Sequence, residues 1–310
     1  MLNQIQGLHH VTALASSASA NNSFFTDVMG LRRVKKTVNF DAPHVYHLYY
    51  GDERGSPGTV MTYFPFPASK RGAAGAGEVG STNFAIRAQG LDFWAQRLAD
   101  RGVADLARDT FFGAPRLTFT GPDGEKLALI ETADDERAPW HSPDIPDTAA
   151  LHGFHSTSLR LNDIAPEVEL LRFMGYETVE TDGEITRMAL PHRRTAHIID
   201  LEAQPSAPAA QSGAGTVHHV AFAVETRARQ LEVREALLDT GYQVTPVIDR
   251  DYFHAIYFRT PGGILFEVAT NEPGFARDEP CDHLGEALKL PAQHEHLRQK
   301  LERRLEPLPD

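Results

Sequence analysis

Cysteine is almost absent from this sequence, since Cys281 is the only one among 310 residues. A single cysteine excludes an intrachain disulfide framework and a cysteine-rich metal site, and it is typical of a reducing compartment. Long hydrophobic runs are also absent, because no segment approaches the roughly 20 consecutive apolar residues that a membrane-spanning helix requires. The N-terminal residues lack the basic stretch followed by an apolar stretch that marks a signal peptide. We therefore expect a cytoplasmic, unprocessed protein with no membrane segment.

Basic residues are too few for a nucleic-acid-binding protein. The chain has 30 Lys and Arg against 42 Asp and Glu, which gives a formal net charge of −12 and a pI of about 5.7. Because phosphate binding requires the opposite balance, nucleic acid is not an expected partner. The apolar content of 41% can fill the cores of two ordinary domains or one large one.

A repeated order of elements runs along the chain. Alternating apolar residues predict a strand, a segment of helical periodicity follows, and three short strands complete the unit. Four such βαβββ units are predicted, over residues 1–67, 78–133, 150–203 and 213–275, followed by a C-terminal helical tail over 276–310. Because one unit cannot bury its apolar sheet face alone, we predict an α+β fold in which the units pair into two open barrel-like domains, each around a cavity.

Two histidine pairs stand at equivalent positions in the first and fourth units. GLHHVTA contains His9 and His10, and TVHHVAF contains His218 and His219. Both pairs lie in the predicted first strand of their unit. Because side chains alternate along a strand, only one histidine of each pair is expected to face the cavity.

One carboxylate, Glu267, interrupts the last apolar strand of the fourth unit, ILFEVA. When Gly58 is aligned with Gly263 in the turns before the last strands, Thr62 of the first unit takes the position of Glu267 in the fourth. The first unit therefore offers no second carboxylate. Two imidazoles and one carboxylate with open positions are the facial ligand set of non-haem Fe(II) enzymes that use O₂. Chance adjacency among 15 histidines, with a hydrogen-bonded buried glutamate, is the alternative, and the repeat of the pair in equivalent strands disfavours it. The predicted metal ligands are His10, His219 and Glu267.

The second and third units are poorer in such ligands. Asn83 takes the predicted ligand position of the second unit. When the turns of the units are aligned, Ala128 takes the position that Glu267 has in the fourth unit. The third unit keeps His155 but shows no clear carboxylate counterpart, so we expect His155 to be a structural histidine with satisfied hydrogen bonds and not a ligand. We therefore predict that the first and fourth units form a metal-bearing domain and the second and third a degenerate one, with pairing of consecutive units as the competing arrangement. The other histidines that compete as ligands are His44, His47 and His254, although a histidine in a middle strand, such as His47, is more typical of a polar group in the cavity or core.

At these residues the chain resembles the ring-cleaving, extradiol-type dioxygenases of the vicinal oxygen chelate (glyoxalase/bleomycin resistance) superfamily, in the branch that acts on para-hydroquinones. The segments that carry the resemblance are GLHHVTA, LRRVKKTVNFDAPHVYHLYYGDERGSPGTVMTYFPFP, HHVAF and DRDYFHAIYFRTPGGILFEVATNEPGF. The resemblance implies Fe(II) as the cofactor, with Mn(II) as the less favoured metal, and a small aromatic substrate and O₂ as partners. It also implies the ligand set above, with other residues around the substrate. Those residues are His9, Thr12, His218, Arg250 and Tyr257.

Each of the implied residues has a hypothetical role. His218 would move protons as an acid/base, because an imidazole titrates near neutral pH. Tyr257 would hydrogen-bond the ionised substrate oxygen, and Arg250 would stabilise developing negative charge. His9 would contact the substrate or orient His10. An ordinary hydrogen-bonded tyrosine and a surface ion pair are the alternatives for Tyr257 and Arg250.

Three rival functions fit parts of the sequence. A catechol extradiol dioxygenase would use the same ligands on a different diol. A glyoxalase-like isomerase or transferase would want a second metal-bound carboxylate, and Thr62 occupies the position in the first unit where that carboxylate would stand. A non-catalytic protein that binds an aromatic compound or a drug would not need three metal ligands. No motif fixes the oligomeric state, and a homo-oligomer is compatible with the sequence. The apolar candidates for the substrate pocket are Phe40, Tyr46, Phe64, Phe253 and Ile256.

Overall fold

The structure, a computed structural model, describes residues 1–133 and 135–308. Asp134, in a predicted linker, and Pro309 and Asp310, in the predicted tail, lie outside the described residues. Four βαβββ units follow one another in the chain, which confirms the predicted α+β fold class.

Each unit contributes one helix and four strands. The first unit comprises β1 (Leu8–Ala15), α1 (Ala18–Ser23), β2 (Arg32–Val38), β3 (Tyr46–Gly51) and β4 (Val60–Pro65). The second comprises β5 (Glu78–Arg87), α2 (Leu91–Asp100), β6 (Ala104–Phe111), β7 (Ala114–Thr120) and β8 (Lys126–Thr132). The third comprises β9 (Leu151–Leu161), α3 (Ala165–Phe173), β10 (Glu177–Asp182), β11 (Ile185–Ala189) and β12 (Ile198–Ala203). The fourth comprises β13 (Val217–Val224), α4 (Arg227–Asp239), β14 (Ile248–Asp249), β15 (Phe253–Arg259) and β16 (Leu265–Pro273).

The strands assemble into two eight-stranded sheets, in the orders β14-β15-β16-β13-β1-β4-β3-β2 and β10-β11-β12-β9-β5-β8-β7-β6. The first sheet therefore combines the first and fourth units, and the second sheet combines the second and third. At the centre of each sheet the first strands of two units pair antiparallel, β1 with β13 and β5 with β9. Each of these strands also pairs in parallel with the last strand of its own unit. In the first sheet, the first and last strands of the first and fourth units therefore lie side by side at the centre. The predicted ligands lie on three of these strands, β1, β13 and β16.

The helices cover one face of each sheet with an apolar stripe. In α2 the buried residues Leu91, Trp94 and Leu98 share one side of the helix, and Trp94 Nε1 donates a hydrogen bond to the Ala149 carbonyl at 2.6 Å. The α4 helix packs on β13, β15 and β16, behind the strands that carry the fourth unit's ligands. The helix of the first unit continues from α1 into a π-helical turn, Phe24–Val28. These contacts leave the opposite face of the first sheet free to line a cavity.

The C-terminal tail is less helical than the sequence suggests. Between residues 276 and 291 the helical structure is a 3-10 turn at Cys281–His283, with the end of another at Phe275–Arg277. A longer 3-10 segment, Ala292–Leu297, then leads into α5 (Arg298–Arg304). Pro280 and Pro291 interrupt the pattern because proline has no backbone N–H to donate. Across the described residues, every helix is too short or too polar to cross a membrane.

Candidate metal centre

The three predicted metal ligands surround one small residue, Ala221, on the same face of the first sheet. Ala221 lies opposite His10 on β1 and opposite Glu267 on β16, while His219 precedes it by two residues on β13. Side chains directly opposite across strands, and those two apart along a strand, project from the same face. The methyl group of Ala221 fills little of the space between them. The chain therefore brings together residues that are more than 200 positions apart.

The ligand atoms of these residues form a compact triangle. His219 Nε2 lies 2.9 Å from Glu267 Oε2, His10 Nε2 lies 3.5 Å from the same oxygen, and the two Nε2 atoms are 3.4 Å apart. Nitrogen and oxygen ligands bind divalent transition metals at roughly 2.0–2.2 Å, so ligands at right angles around one ion lie about 3 Å apart. The triangle has the dimensions that a facial metal site requires. Among the described residues, this is the one group of three or more such side chains that could hold an ion.

The Glu267 carboxylate is buried in a way that favours a cation. Its side chain is fully buried, and neither oxygen accepts a hydrogen bond of good geometry within the described residues. Burial alone would raise the pKa of Glu267, but the imidazoles of His10 and His219 hold that pKa well below its usual range. A fully buried carboxylate that stays ionised needs positive charge beside it. The donor set therefore fits a divalent metal ion.

The second histidine of each pair supports its neighbour. His9 Nδ1 lies 2.9 Å from His10 Nδ1, and His218 Nδ1 lies 2.8 Å from His219 Nδ1. If Nε2 of each ligand is to offer a lone pair, its proton must be on Nδ1, which then donates to the neighbouring Nδ1. Burial, followed by the neighbouring His10, lowers the pKa of His9 to about 3, so this imidazole is neutral and can accept.

A cavity of about 350 Å³ opens in front of the triangle. This volume is at the small end of the range for ligand cavities, which suits a single-ring molecule. His218 lies at its mouth, exposed, whereas His9 and Thr12 are buried beside and beneath the ligands and do not line the cavity. The apolar wall is formed by Leu14, Phe40, Phe64, Phe66, Phe253 and Leu265. Tyr46 and Ile256 are not part of this wall.

Arg250 and Tyr257 act as a pair at the edge of the cavity. Arg250 Nε donates a hydrogen bond to Tyr257 Oη at 3.2 Å, and the Tyr257 ring packs edge-on against His219 at 5.7 Å. Burial, and then the charge of Glu267, raise the pKa of Tyr257, so its hydroxyl stays protonated. The guanidinium keeps its charge because its partners offset the cost of burial. The cavity therefore presents one cation and one O–H donor near the triangle.

A hydrogen-bonded chain in the first unit was not anticipated from the sequence. Tyr49 Oη lies 2.9 Å from His47 Nδ1, His47 Nε2 lies 2.8 Å from Thr62 Oγ1, and Thr62 Oγ1 lies 3.1 Å from Thr12 Oγ1. Tyr49 is opposite Thr62 just as Tyr257 is opposite Glu267, so the two tyrosines are related by the repeat. Burial, followed by the neighbouring His10, lowers the pKa of His47 well below its usual value, so this histidine is a neutral residue of the cavity wall. His44 and His254 do not line the cavity.

Strand register in the second sheet corrects two predictions about the middle units. Ser81 and Ser156 occupy the positions of His10 and His219, so the assignment of Asn83 as the ligand counterpart is wrong. Asp200 lies opposite Ser158 as Glu267 lies opposite Ala221, so the third unit does have a carboxylate counterpart. Ala128, as predicted, is the counterpart in the second unit.

An arginine, Arg187, neutralises Asp200, the counterpart of Glu267 in the second sheet. Arg187, at the position of Tyr257, binds Asp200 through two hydrogen bonds of 2.7 and 3.0 Å. The guanidinium also stacks on Phe112, 3.9 Å from the ring centroid. His155 lies at the position that precedes a ligand, and its Nδ1 contacts Ser156 Oγ at 3.1 Å. Because serine replaces both histidines and a guanidinium already offsets the charge of Asp200, this site is not built for a metal ion.

Comparison with known proteins gives consistent relatives. A Bacillus subtilis protein with the provisional name ring-cleaving dioxygenase MhqO is 39% identical over 312 residues, which covers 99% of this chain and 98% of that protein. A chlorohydroquinone/hydroquinone 1,2-dioxygenase of Sphingobium indicum is 35% identical over 313 residues, covering 96% of this chain and 95% of the relative. A crystal structure of a protein provisionally described as a dioxygenase, from Bacillus subtilis, superposes with a TM-score of 0.95 at 38% identity and covers 99% of this chain and 98% of its own.

More distant structures share the fold alone. Glyoxalase I from Zea mays has a TM-score of 0.64 at 13% identity, and the match covers 86% of this chain and 92% of the maize chain. The family model for the Glyoxalase/Bleomycin resistance protein/Dioxygenase superfamily matches residues 7–129 and 175–268, which is more than half of the chain. The sheet pairing, the position of the ligand triangle and the full-length relatives agree with that match. This protein therefore belongs to the Glyoxalase/Bleomycin resistance protein/Dioxygenase superfamily.

Proposed function

We propose that this protein is an Fe(II)-dependent dioxygenase that cleaves the aromatic ring of a hydroquinone-type substrate with O₂. The observation that carries the proposal is the triangle of His10, His219 and Glu267, which opens onto a cavity with a cation and a phenol donor at its edge. Full-length similarity to a hydroquinone 1,2-dioxygenase and to proteins named as ring-cleaving dioxygenases supports the reaction class. Mn(II) is the alternative metal. The single exposed cysteine agrees with a cytoplasmic location, which forms part of the proposal.

The metal would be held by His10, His219 and Glu267, and when bound it would lower the pKa of a substrate hydroxyl and bring substrate and O₂ together. Tyr257 would donate its O–H to the ionised substrate oxygen, and Arg250 would stabilise negative charge that develops there. Both groups are already fixed by the hydrogen bond between them. The aromatic wall would exclude water from the ring.

His218 and His9 have different proposed roles. The Nδ1 atom of His218 is engaged by His219, so Nε2 is the atom left to exchange a proton with a ligand in the cavity. Partial desolvation, and then the neighbouring His219, lower the pKa of His218, so it is neutral at pH 7. His9 does not reach the cavity and contacts His10 instead, which favours an orienting role. Thr12 would support the floor beneath the ligands through Thr62.

The decisive experiment measures oxygen uptake. We expect protein loaded with Fe(II) under anaerobic conditions to consume O₂ in equimolar ratio to hydroquinone, and to prefer hydroquinones over catechols of similar substitution. Apoprotein treated in the same way serves as the control. Preferential turnover of catechol would favour the extradiol alternative, and turnover of any substrate without O₂ would exclude a dioxygenase.

Replacing Tyr257 with phenylalanine tests the proposed hydrogen bond to the substrate oxygen. We expect kcat for hydroquinone to fall by roughly 100-fold, as when one donor to a developing negative charge is removed. Iron content should be unchanged, because Tyr257 is not a ligand. Tyr242→Phe, on the opposite side of β15 against Phe258, is a suitable control. A Tyr257→Phe variant with wild-type kcat would remove Tyr257 from the mechanism.

The glyoxalase-like alternative is disfavoured by Thr62, the residue of the first unit that stands where a fourth metal ligand would be. Thr62 stands at the position of Glu267, and its hydroxyl is already engaged by His47 and Thr12. A second carboxylate that could act as a metal-bound base is therefore missing from this position. The triangle of three protein ligands leaves more open positions, which a reaction between substrate and O₂ requires.

A further inference from the structure

The loop between β2 and β3 forms the cavity wall that faces Arg250. Asn39, Phe40, Asp41 and Ala42 of this loop all line the cavity. The Phe40 ring lies 5.4 Å from the Arg250 guanidinium carbon, and the Tyr257 ring lies at the same distance. The guanidinium is thus flanked by two aromatic rings, one from the first unit and one from the fourth. The Phe40 ring thus adds to the hydrogen bond with Tyr257 in holding the guanidinium in place.

Hydrogen bonds within this loop shape it but do not attach it to the site. Asn39 Oδ1 accepts from the backbone N–H groups of Asp41 and Ala42, at 2.8 and 3.0 Å. Val45 N donates to Ala42 O at 2.9 Å, and Asn39 N donates to Val45 O at 2.8 Å. The ion pair between this loop and Arg250 is weak, because Asp41 Oδ2 is 3.8 Å from Nη1 and the Asp41 side chain is largely exposed. The loop therefore needs an outside anchor to stay against Arg250.

The C-terminal strap, residues 288–306, supplies that anchor at both ends of the loop. At one end His294 Nε2 donates to the Phe40 carbonyl at 2.7 Å, with a longer contact of 3.4 Å from Gln293 Nε2. At the other end Tyr46 Oη donates to the Glu306 carbonyl at 2.9 Å. The strap is also attached to the edge strand β2, where Lys289 N donates to Lys36 O at 2.9 Å. The 3-10 segment and α5 together span the loop from outside.

We propose that His294 is a positioning residue of the site, which acts through Phe40 on Arg250. The path runs from His294 Nε2 to the Phe40 carbonyl, from the Phe40 ring to the guanidinium, and from Arg250 Nε to Tyr257 Oη. No member of the path is a metal ligand, so the strap adjusts substrate binding and leaves metal binding alone. This inference rests on the proposed function of the cavity and extends it to a residue 21 positions beyond the end of β16.

The test compares His294→Ala with His296→Ala, an exposed histidine two residues along the same strap. For His294→Ala we expect faster amide hydrogen exchange in residues 39–45, a KM for hydroquinone raised about 3- to 10-fold, as one lost hydrogen bond allows, and a smaller change in kcat. Iron content and the exchange of β13 and β16 should match the wild type. His294→Gln, which keeps an N–H donor at the end of the side chain, should recover most of the KM.

A double variant, Gln293→Ala with His294→Ala, removes both donors to Phe40 and should increase the effect further. The inference is overturned if His294→Ala matches His296→Ala in both exchange and KM. It is equally overturned if the alanine variant loses iron or unfolds globally, because His294 would then be a general stability residue. If the wild type neither binds nor turns over hydroquinone, the proposed function fails, and exchange in residues 39–45 still decides whether the strap holds the loop.

Discussion

Replacing Glu267 with glutamine is expected to remove tight iron binding and O₂ consumption together. The carboxylate is fully buried, and the Nε2 atoms of His10 and His219 lie 3.5 and 2.9 Å from one of its oxygens. An amide keeps the shape but offers a neutral ligand atom. Loss of an outer-shell partner of a metal ligand already weakens metal binding by about 10- to 100-fold. Loss of a charged ligand should exceed that, so iron after anaerobic loading should fall to background.

The fold should survive this substitution. Without metal, glutamine leaves no unpaired buried charge, so the melting temperature of the apoprotein should stay close to that of wild-type apoprotein. Glu125→Gln is a matched control, because Glu125 is also a buried glutamate but accepts hydrogen bonds from Asp123 N and Tyr63 Oη away from the site. This control should keep its iron. An active, iron-loaded Glu267→Gln variant would show that the ligand set is different.

The ligand triangle is accessible to sequence reasoning because strands obey a simple alternation. A repeated histidine pair and one acid in an apolar strand mark positions that share a face once the strands pair. Alignment of the turns also predicts that Thr62 takes the position of Glu267 in the first unit. The strand register agrees, because Thr62 pairs with Thr12 on the first strand of its unit as Glu267 pairs with Ala221 on the first strand of the fourth. The fold class followed from the repeat. The supporting chain through His47 and Tyr49 carries no such mark, because neither a repeated pair nor a lone acid singles out its members.

The middle units show where this reasoning stops. The second unit has no histidine pair to mark its ligand position, and only the strand pairing identifies Ser81 rather than Asn83, because Ser81 lies opposite Ser158 as His10 lies opposite Ala221. The sequence does not mark Asp200 as it marks Glu267, because no histidine pair precedes it in the third unit. A signal was present in the charged residue of ITRMAL, since Arg187 in an apolar strand needs a buried partner. The contacts between the C-terminal strap and the cavity loop leave no such mark in the sequence, because they use backbone carbonyls.

Replacing Arg187 with methionine is expected to destabilise the protein strongly without touching the candidate metal centre. Asp200 is fully buried, and its two hydrogen bonds from Arg187 offset the charge. Breaking one partner of a buried ion pair typically costs about 3–5 kcal/mol, because the remaining charge is left uncompensated. Methionine keeps an unbranched stem beside Phe112, so most of the loss should come from the charge. Urea denaturation followed by circular dichroism measures the free energy of unfolding.

A double variant separates the contribution of the Arg187–Asp200 ion pair to stability from the contribution of side-chain packing. Arg187→Met combined with Asp200→Leu removes both charges, and we expect it to recover most of the lost stability, as replacement of buried ion pairs by apolar residues often does. Iron content should be one ion per chain in the wild type and in both variants, because the ligand triangle lies in the other sheet. Two ions per wild-type chain, with one lost when Asp200 is replaced, would contradict the structural role of the second sheet and assign it a metal. Equal instability of the single and double variants would instead mean that the guanidinium contributes mainly by stacking on Phe112.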